Sequence, residues 1–298
     1  MRIHALEWRQ AWPTFAVAAV VYAGWGALTW FHAALPFAVA LAGGACLSAL
    51  HSSLQHETIH GHPTRSAALN AALGWLPLSL WLPYAIYRDE HITHHTDELL
   101  TEPGRDPESK FVTQGDWAAS GYLGRATLAV NATLLGRLAI GPALALAAFA
   151  IAEARRLREG VAGRRRIWAA HALGVAAVLG WAVGICGMPL GDYVAIWTYA
   201  GLSLTLLRSY AEHAAARDPG RRTAAIEAEA PLAFLFLNNN LHVLHHARPE
   251  LPWHALPAAW RAERAVLLAR GGPSYRGYRE IARRFLWRPV HAPAHPFV

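Results

Sequence analysis

From Gln10 to His56 the chain carries no Asp, Glu, Lys or Arg. A helix needs about 20 apolar residues to cross the hydrocarbon core, so this stretch is long enough for two crossings. The turn between them falls at His32 to Pro36, where a polar ring and a proline interrupt the apolar run. A second such stretch runs from Ile167 to Leu207, broken only by Asp192, with its turn near Gly187 to Asp192. The pattern predicts four transmembrane helices in two hairpins, spanning residues 11–32, 36–57, 167–187 and 191–210.

Two further apolar runs do not fit a crossing. Ala67 to Ile86 is too short to cross twice and is interrupted by Pro77 and Pro83, so it reads as a re-entrant or interfacial segment. Thr127 to Ile151 contains Arg137 and a Gly141-Pro142 break, and six arginines follow between Arg155 and Arg166. Such a basic cluster belongs in the cytoplasm. Parity decides the status of this run: were it a full crossing, the histidines after residue 210 would lie across the membrane from those before residue 96. The expected architecture is therefore all-α and integral to the membrane. It has four spans, interfacial or re-entrant segments and a cytoplasmic helical cap rich in histidine, in a single membrane-embedded domain over 1–298.

Composition agrees with that pattern and narrows it. Hydrophobic residues make up 54% of the 298, charged residues only 16%, and the mean hydropathy is +0.18, which is too apolar for an ordinary soluble domain. Ala11 to Phe31 is longer than a signal core and leads directly into another apolar stretch, so it is expected to stay as an anchor. Both cysteines, Cys46 and Cys186, fall inside expected spans, which argues against a disulfide framework or a thiolate-held iron–sulfur cluster. The net charge of +7 comes almost wholly from arginine and reads as a topology signal. Nucleic acid is not an expected partner, since basic and aromatic residues do not interleave. The expected setting is the inner cell membrane, multi-pass, with the site facing the cytoplasm.

Three short clusters carry the chemistry: HETIH at His56 to His60, HITHH at His91 to His95 and HVLHH at His242 to His246. On a helix, positions i, i+3 and i+4 share one face, so each cluster can aim two or three imidazoles at a common point. Imidazole is a good ligand for iron, and its second nitrogen is free to be oriented by a carboxylate or amide. His213, directly after the last expected span and beside Glu212, brings the candidates to nine: His56, His60, His91, His94, His95, His213, His242, His245 and His246. That number is too large for one ion and suits two. The orienting groups are sought among Asp89, Glu90, Asp97, Asp106, Glu108 and Asn238 to Asn240. Asn239, three residues before His242, is the best placed of the amides, and Asp97 and Glu212 are the carboxylates carried forward with it.

Not every histidine is a candidate. A lone one near a membrane interface is more often a satisfied polar group, so His4, His32, His171, His254, His291 and His295 are set aside. His51 projects about 140° from His56 on a helix and is expected to pack within the bundle. His62 would sit at the rim. HETIH also fits the HExxH of an intramembrane zinc metalloprotease, with Glu57 as general base, but that reading leaves the other two clusters unexplained. A metal transporter would place its ionisable residues near mid-bilayer rather than at span ends.

In order and spacing, a histidine pair after a first hairpin, an HxxHH before the second and another after it, the chain resembles the membrane fatty acid desaturase superfamily, which includes lipid hydroxylases and carotenoid ketolases. The flanks HETIHGHP, RDEHITHH with TEPGRDPES, RSYAEH and NNNLHVLHHARPELPWHALP resemble its bacterial members. The resemblance implies two iron ions on the nine histidines above, with O2 as co-substrate and a lipid or fatty acyl substrate. It implies desaturation, or hydroxylation or ketolation as the alternative. Acyl-CoA desaturases have an asparagine four residues before the ligand that matches His213, where this chain has Ser209. His51 with His56 would fit their longer first box. The chain shows no dinucleotide fingerprint, so its electrons are expected from a separate ferredoxin- or cytochrome-like donor, attracted by the basic end around Arg283 and Arg284.

Overall fold

The computed structural model describes residues 8–96 and 98–298, which leaves His4 and Asp97 outside the described residues. In chain order the helices begin with α1 (Trp8–Trp30), α2 (Phe37–Ile59), α3 (Ala67–Gly74) and α4 (Tyr84–His94). Then come α5 (Gln114–Ala119), α6 (Tyr122–Asn131), α7 (Leu134–Ala139), α8 (Gly141–Arg158) and α9 (Arg164–Leu179). A π-helical stretch, Gly180–Ile185, extends α9. After it, α10 (Leu190–Tyr193), a π-helical Val194–Ala200 and α11 (Gly201–Ser209) follow without a break. The chain ends with α12 (Leu232–Leu235), α13 (His242–Ala247), α14 (Leu256–Ala269) and α15 (Tyr278–Phe285). Strand is confined, among the described residues, to a two-residue parallel pair, β1 (Ala225–Ile226) with β2 (Ser274–Tyr275), and a few isolated bridges.

Three helices among the described residues are long and apolar enough to cross a membrane: Ala11–Trp30, Phe37–Ile59 and Arg164–Ile185. The expected fourth span, 191–210, is helical over 190–209 but switches from α to π and back, with Asp192 in its first turn. The run Thr127 to Ile151 is no single helix. It breaks where the Thr133 hydroxyl accepts from the Gly136 N–H at 3.0 Å to cap α7, and again at Gly141.

Contacts divide the chain into two compact units, Met1–Arg88 with Pro142–Thr205 and Asp89–Gly141 with Leu206–Val298. In the first, α2 packs closely against the helical stretch 190–209. Ser48 Oγ donates to the Trp197 carbonyl at 2.8 Å, and a Cβ added at Gly44 or Gly201 would collide with Ile196 or Ser48. Small residues let the two backbones approach, which is how helices associate where lipid removes the hydrophobic drive.

The segment after α3 carries the irregular backbone that prolines 77 and 83 require, and an apolar surrounding cannot satisfy its carbonyls or those that end α3. Side chains from the long helices do so. Tyr22 Oη donates to the Leu73 carbonyl at 2.6 Å, Gln55 Nε2 to Gly74 at 2.8 Å, Tyr193 Oη to Leu78 at 2.8 Å and Thr198 Oγ1 to Ser79 at 2.9 Å. His171 Nε2 lies 2.9 Å from the Leu80 carbonyl, an oxygen that can only accept. At the end of α8, the buried Glu153 carboxylate accepts from Arg156 at 2.7 Å, Arg164 at 2.9 Å and Trp168 at 3.0 Å, tying α8 to α9.

In the second unit a small core of Leu241, Val243, Leu244, Leu256, Trp260 and Leu267 closes around Ala225. It fixes α13: Val243 and Leu244 face that core, leaving the three histidines of the same turn to the opposite side. The Val243 N–H donates to the Ala224 carbonyl at 2.9 Å, which joins the turn to the strand.

Replacing Tyr193 by Phe leaves the Leu78 carbonyl buried without its donor, which is expected to cost about 1–3 kcal/mol and to lower the melting temperature in detergent. Thr198→Val should cost less, since the Ser79 carbonyl keeps the Trp81 N–H at 2.9 Å. Tyr122→Phe, at a side chain 86% exposed, should leave the melting temperature unchanged.

Candidate metal centre

Four segments of the second unit bring histidines together. His91 and His94 fill the last turn of α4 and His95 follows it, with the His95 N–H still bonded to the His91 carbonyl at 3.2 Å. His242, His245 and His246 lie on α13. His213 sits past α11 in extended chain, held because the Ala214 N–H donates to the Arg222 carbonyl at 3.0 Å and the Ala224 N–H to Glu212 at 2.8 Å. The fourth segment, Thr101 to Ser109, contributes carboxylates.

One set consists of His94, His213, His242 and His246, whose ligand nitrogens all lie within 4.8 Å of one another. Nε2 of His213 is 3.0 Å from that of His94 and 2.9 Å from that of His242, which in turn is 3.1 Å from Nε2 of His246. Beside it His91, His95 and His245 form a second group, with His95 Nε2 at 3.1 Å from both His91 Nε2 and His245 Nε2. The groups adjoin, since the His95 and His246 rings stack with centroids 4.2 Å apart. In the first unit His56 and His60 occupy the end of α2, with ring centroids 4.8 Å apart.

The carboxylates assign the protons. Asp106 Oδ1 lies 2.8 Å from His94 Nδ1 and Glu108 Oε1 2.7 Å from His91 Nδ1. An ionised carboxylate only accepts, so each Nδ1 carries the hydrogen and each Nε2 presents its lone pair. Asn239 Oδ1 stands in the same relation to His242 Nδ1 at 3.3 Å, with Glu212 Oε1 at 3.8 Å. Inward-facing lone pairs about 3 Å apart repel one another, and a cation among them turns that repulsion into coordination. The donor set therefore fits a metal that prefers imidazole.

Burial acts in the same direction. It pushes His213, His242 and His246 well below the ordinary imidazole value, and the neighbouring rings push them further, which keeps them in the neutral, ligating form. For His94 burial also works downward, but the Glu108 and Asp106 carboxylates outweigh it and raise the value. Carboxylates that favour positive charge on a ring also raise its basicity toward a metal.

The other candidates are distributed as follows. Asp89 is exposed on α4. His51 is buried in α2 with its ring edge-on to Tyr22, centroids 6.0 Å apart. His62 is buried just past α2. Asp106 and Glu108 were only two among many acidic residues of a polar stretch. What distinguishes them is loop closure: the Asp106 carboxylate also accepts the N–H groups of Thr101 at 2.8 Å and Glu108 at 2.9 Å.

The family model for fatty acid desaturase matches residues 30–279. The chain belongs to this family. A search of curated proteins finds no match. Membership makes this fatty acid desaturase family protein an oxidoreductase of the membrane that acts on lipid, and all three histidine clusters lie inside the matched stretch.

Removing the group on a ligand's Nδ1 typically lowers metal affinity 10–100-fold. Asp106→Ala is expected to show a loss of that size in competition with a chelator, and Asp89→Ala none.

Proposed function

We propose that the chain is an O2-dependent enzyme with two iron ions that desaturates a fatty acyl chain or lipid in the membrane. The observation that carries this reading is the pair of adjoining imidazole groups with lone pairs turned inward, in a chain of the fatty acid desaturase family. His94, His213, His242 and His246 hold one ion. His91, His95 and His245 are ligands in the neighbouring group, and His56 and His60 supply the remaining ligands. Bound there, iron supplies the reductive activation of oxygen that removes hydrogen from an unactivated carbon. The chain's own residues hold and orient: Asp106, Glu108 and Asn239 fix the rings through Nδ1, and burial of His91, His94, His242 and His245 keeps water from competing. The imidazoles do not choose among desaturation, hydroxylation and ketolation, which depend on where the substrate carbon lies.

The same reading includes four spans in one membrane-embedded domain. The helical stretch 190–209 is the fourth, and the site and the arginines of Arg155 to Arg166 face the cytoplasm, at the inner membrane. Thiol labelling from outside the cell at a cysteine placed at position 160 would refute this topology.

The electrons come from a separate ferredoxin- or cytochrome-like protein. Arg276, Arg279 and Arg283 line one surface concavity with Glu280, whereas Arg284 is occupied by Glu280 at 3.0 Å and lies over the Tyr275 and Phe285 rings. The docking charge is therefore placed on Arg279 and Arg283 rather than on Arg284.

Reconstitution with iron, a reductant protein and membrane lipid tests the whole. Mass spectrometry should show a product that has lost a pair of hydrogens, and gain of one oxygen would instead mark hydroxylation. No product should form without the donor protein. His94→Ala and His245→Ala should each abolish turnover and lower bound iron. Purified protein holding one zinc and no iron, with activity surviving both changes, would instead indicate a zinc protease.

A further inference from the structure

The loop that orients His94 is itself held from far away in the chain. Thr101 adopts φ +72°, a conformation a β-branched residue rarely takes, and its N–H points to Asp106 Oδ2 at 2.8 Å. Its hydroxyl lies 3.2 Å from His295 Nε2. His295 Nδ1 accepts the Phe297 N–H at 3.3 Å, so Nε2 carries the proton and donates to Thr101. His295 is buried, 1% exposed.

The segment carrying His295 lies beyond residue 279, where the family match stops. It runs alongside the chain that follows the carboxylate loop. The Val112 N–H donates to Pro293 at 3.0 Å, the His295 N–H to Val112 at 2.8 Å and Gln114 Nε2 to the His295 carbonyl at 2.7 Å. Phe111 is in contact with both the His291 and His295 rings, at centroid distances of 4.4 and 5.2 Å. A continuous path of hydrogen bonds thus runs from His295 through Thr101 and Asp106 to His94.

We propose that His295 is a positioning residue for the metal centre: the segment 290–298 is a clasp that, through Thr101, sets the Asp106 carboxylate against His94 and so secures one of the two ions. The proposal rests on the metal-binding reading above. It predicts a larger effect on the four-histidine group, because Asp106 orients its His94 directly, while the neighbouring group is reached only through the Glu108 N–H that the same carboxylate accepts.

The test is the iron content of the purified protein and its rate of transfer to a ferrous chelator, with the melting temperature measured alongside. His295→Ala should release about half of the iron roughly tenfold faster, the low end of outer-partner effects, and change the release of the other half less. His295→Gln, which can still donate to Thr101, should restore slow release. Thr101→Ala, which removes the acceptor and leaves the His295 ring in place, should reproduce the His295→Ala pattern with the melting temperature near wild type. Wild-type release from both His295→Ala and Thr101→Ala, with His94→Ala iron-depleted, would overturn the clasp. So would equal loss of all the iron in His295→Ala with normal retention in Thr101→Ala, since that marks a folding defect. Undiminished iron in His94→Ala would instead overturn the metal-site reading on which the clasp rests.

Discussion

An imidazole has two nitrogens, and only one can serve a metal; what binds the other decides which. In the second unit His94 Nδ1 donates its hydrogen bond to Asp106 and His91 Nδ1 to Glu108, and from this the inward orientation of the lone pairs follows. Packing several neutral rings with facing lone pairs is unfavourable without a cation. The cost is borne by the rest of the unit: the Leu241 to Leu267 core behind α13, the backbone bonds that hold His213, and the closed loop that carries both carboxylates. A site of this kind is pre-organised by its surroundings, because the ligands alone would spread apart.

The first unit meets a different constraint, that of satisfying polar backbone where water is scarce. The irregular stretch between α3 and α4 would be untenable beside apolar helices, yet three of its carbonyls receive side-chain partners from His171, Tyr193 and Thr198, and two at the end of α3 receive them from Tyr22 and Gln55. These polar residues look out of place in apolar runs until their partners are known. His171 is the clearest case. As a lone histidine in an expected span it suggested only a satisfied polar group, and its partner, the Leu80 carbonyl, lies 91 positions away.

Periodicity made the long helices and the three clusters legible, because charge-free runs and i, i+3, i+4 spacing are local properties. The turns at 32–36 and 187–189 followed from proline and glycine for the same reason. The stretch 190–209 was less legible: its π-helical middle changes the rotation per residue, which no hydropathy pattern encodes. The breaks at Ala132 and Ile140 likewise depend on a threonine cap and a glycine inside an otherwise apolar run.

The orienting carboxylates mark where local reading stops. Asp97 and Asp106 are both acidic residues of one polar stretch after the second cluster, and Asp97 is the nearer to His94 in sequence. What singles out Asp106 is that its second oxygen accepts the Thr101 N–H, in a residue whose left-handed backbone needs support. That support comes from His295, which is 194 positions from Thr101. Ligands repeat at helical intervals because a helix presents them, whereas the groups that hold ligands in place come from wherever the chain returns. Local spacing therefore shows the clustered histidines and, in Asn239, one of their partners, but not the carboxylates that orient His91 and His94.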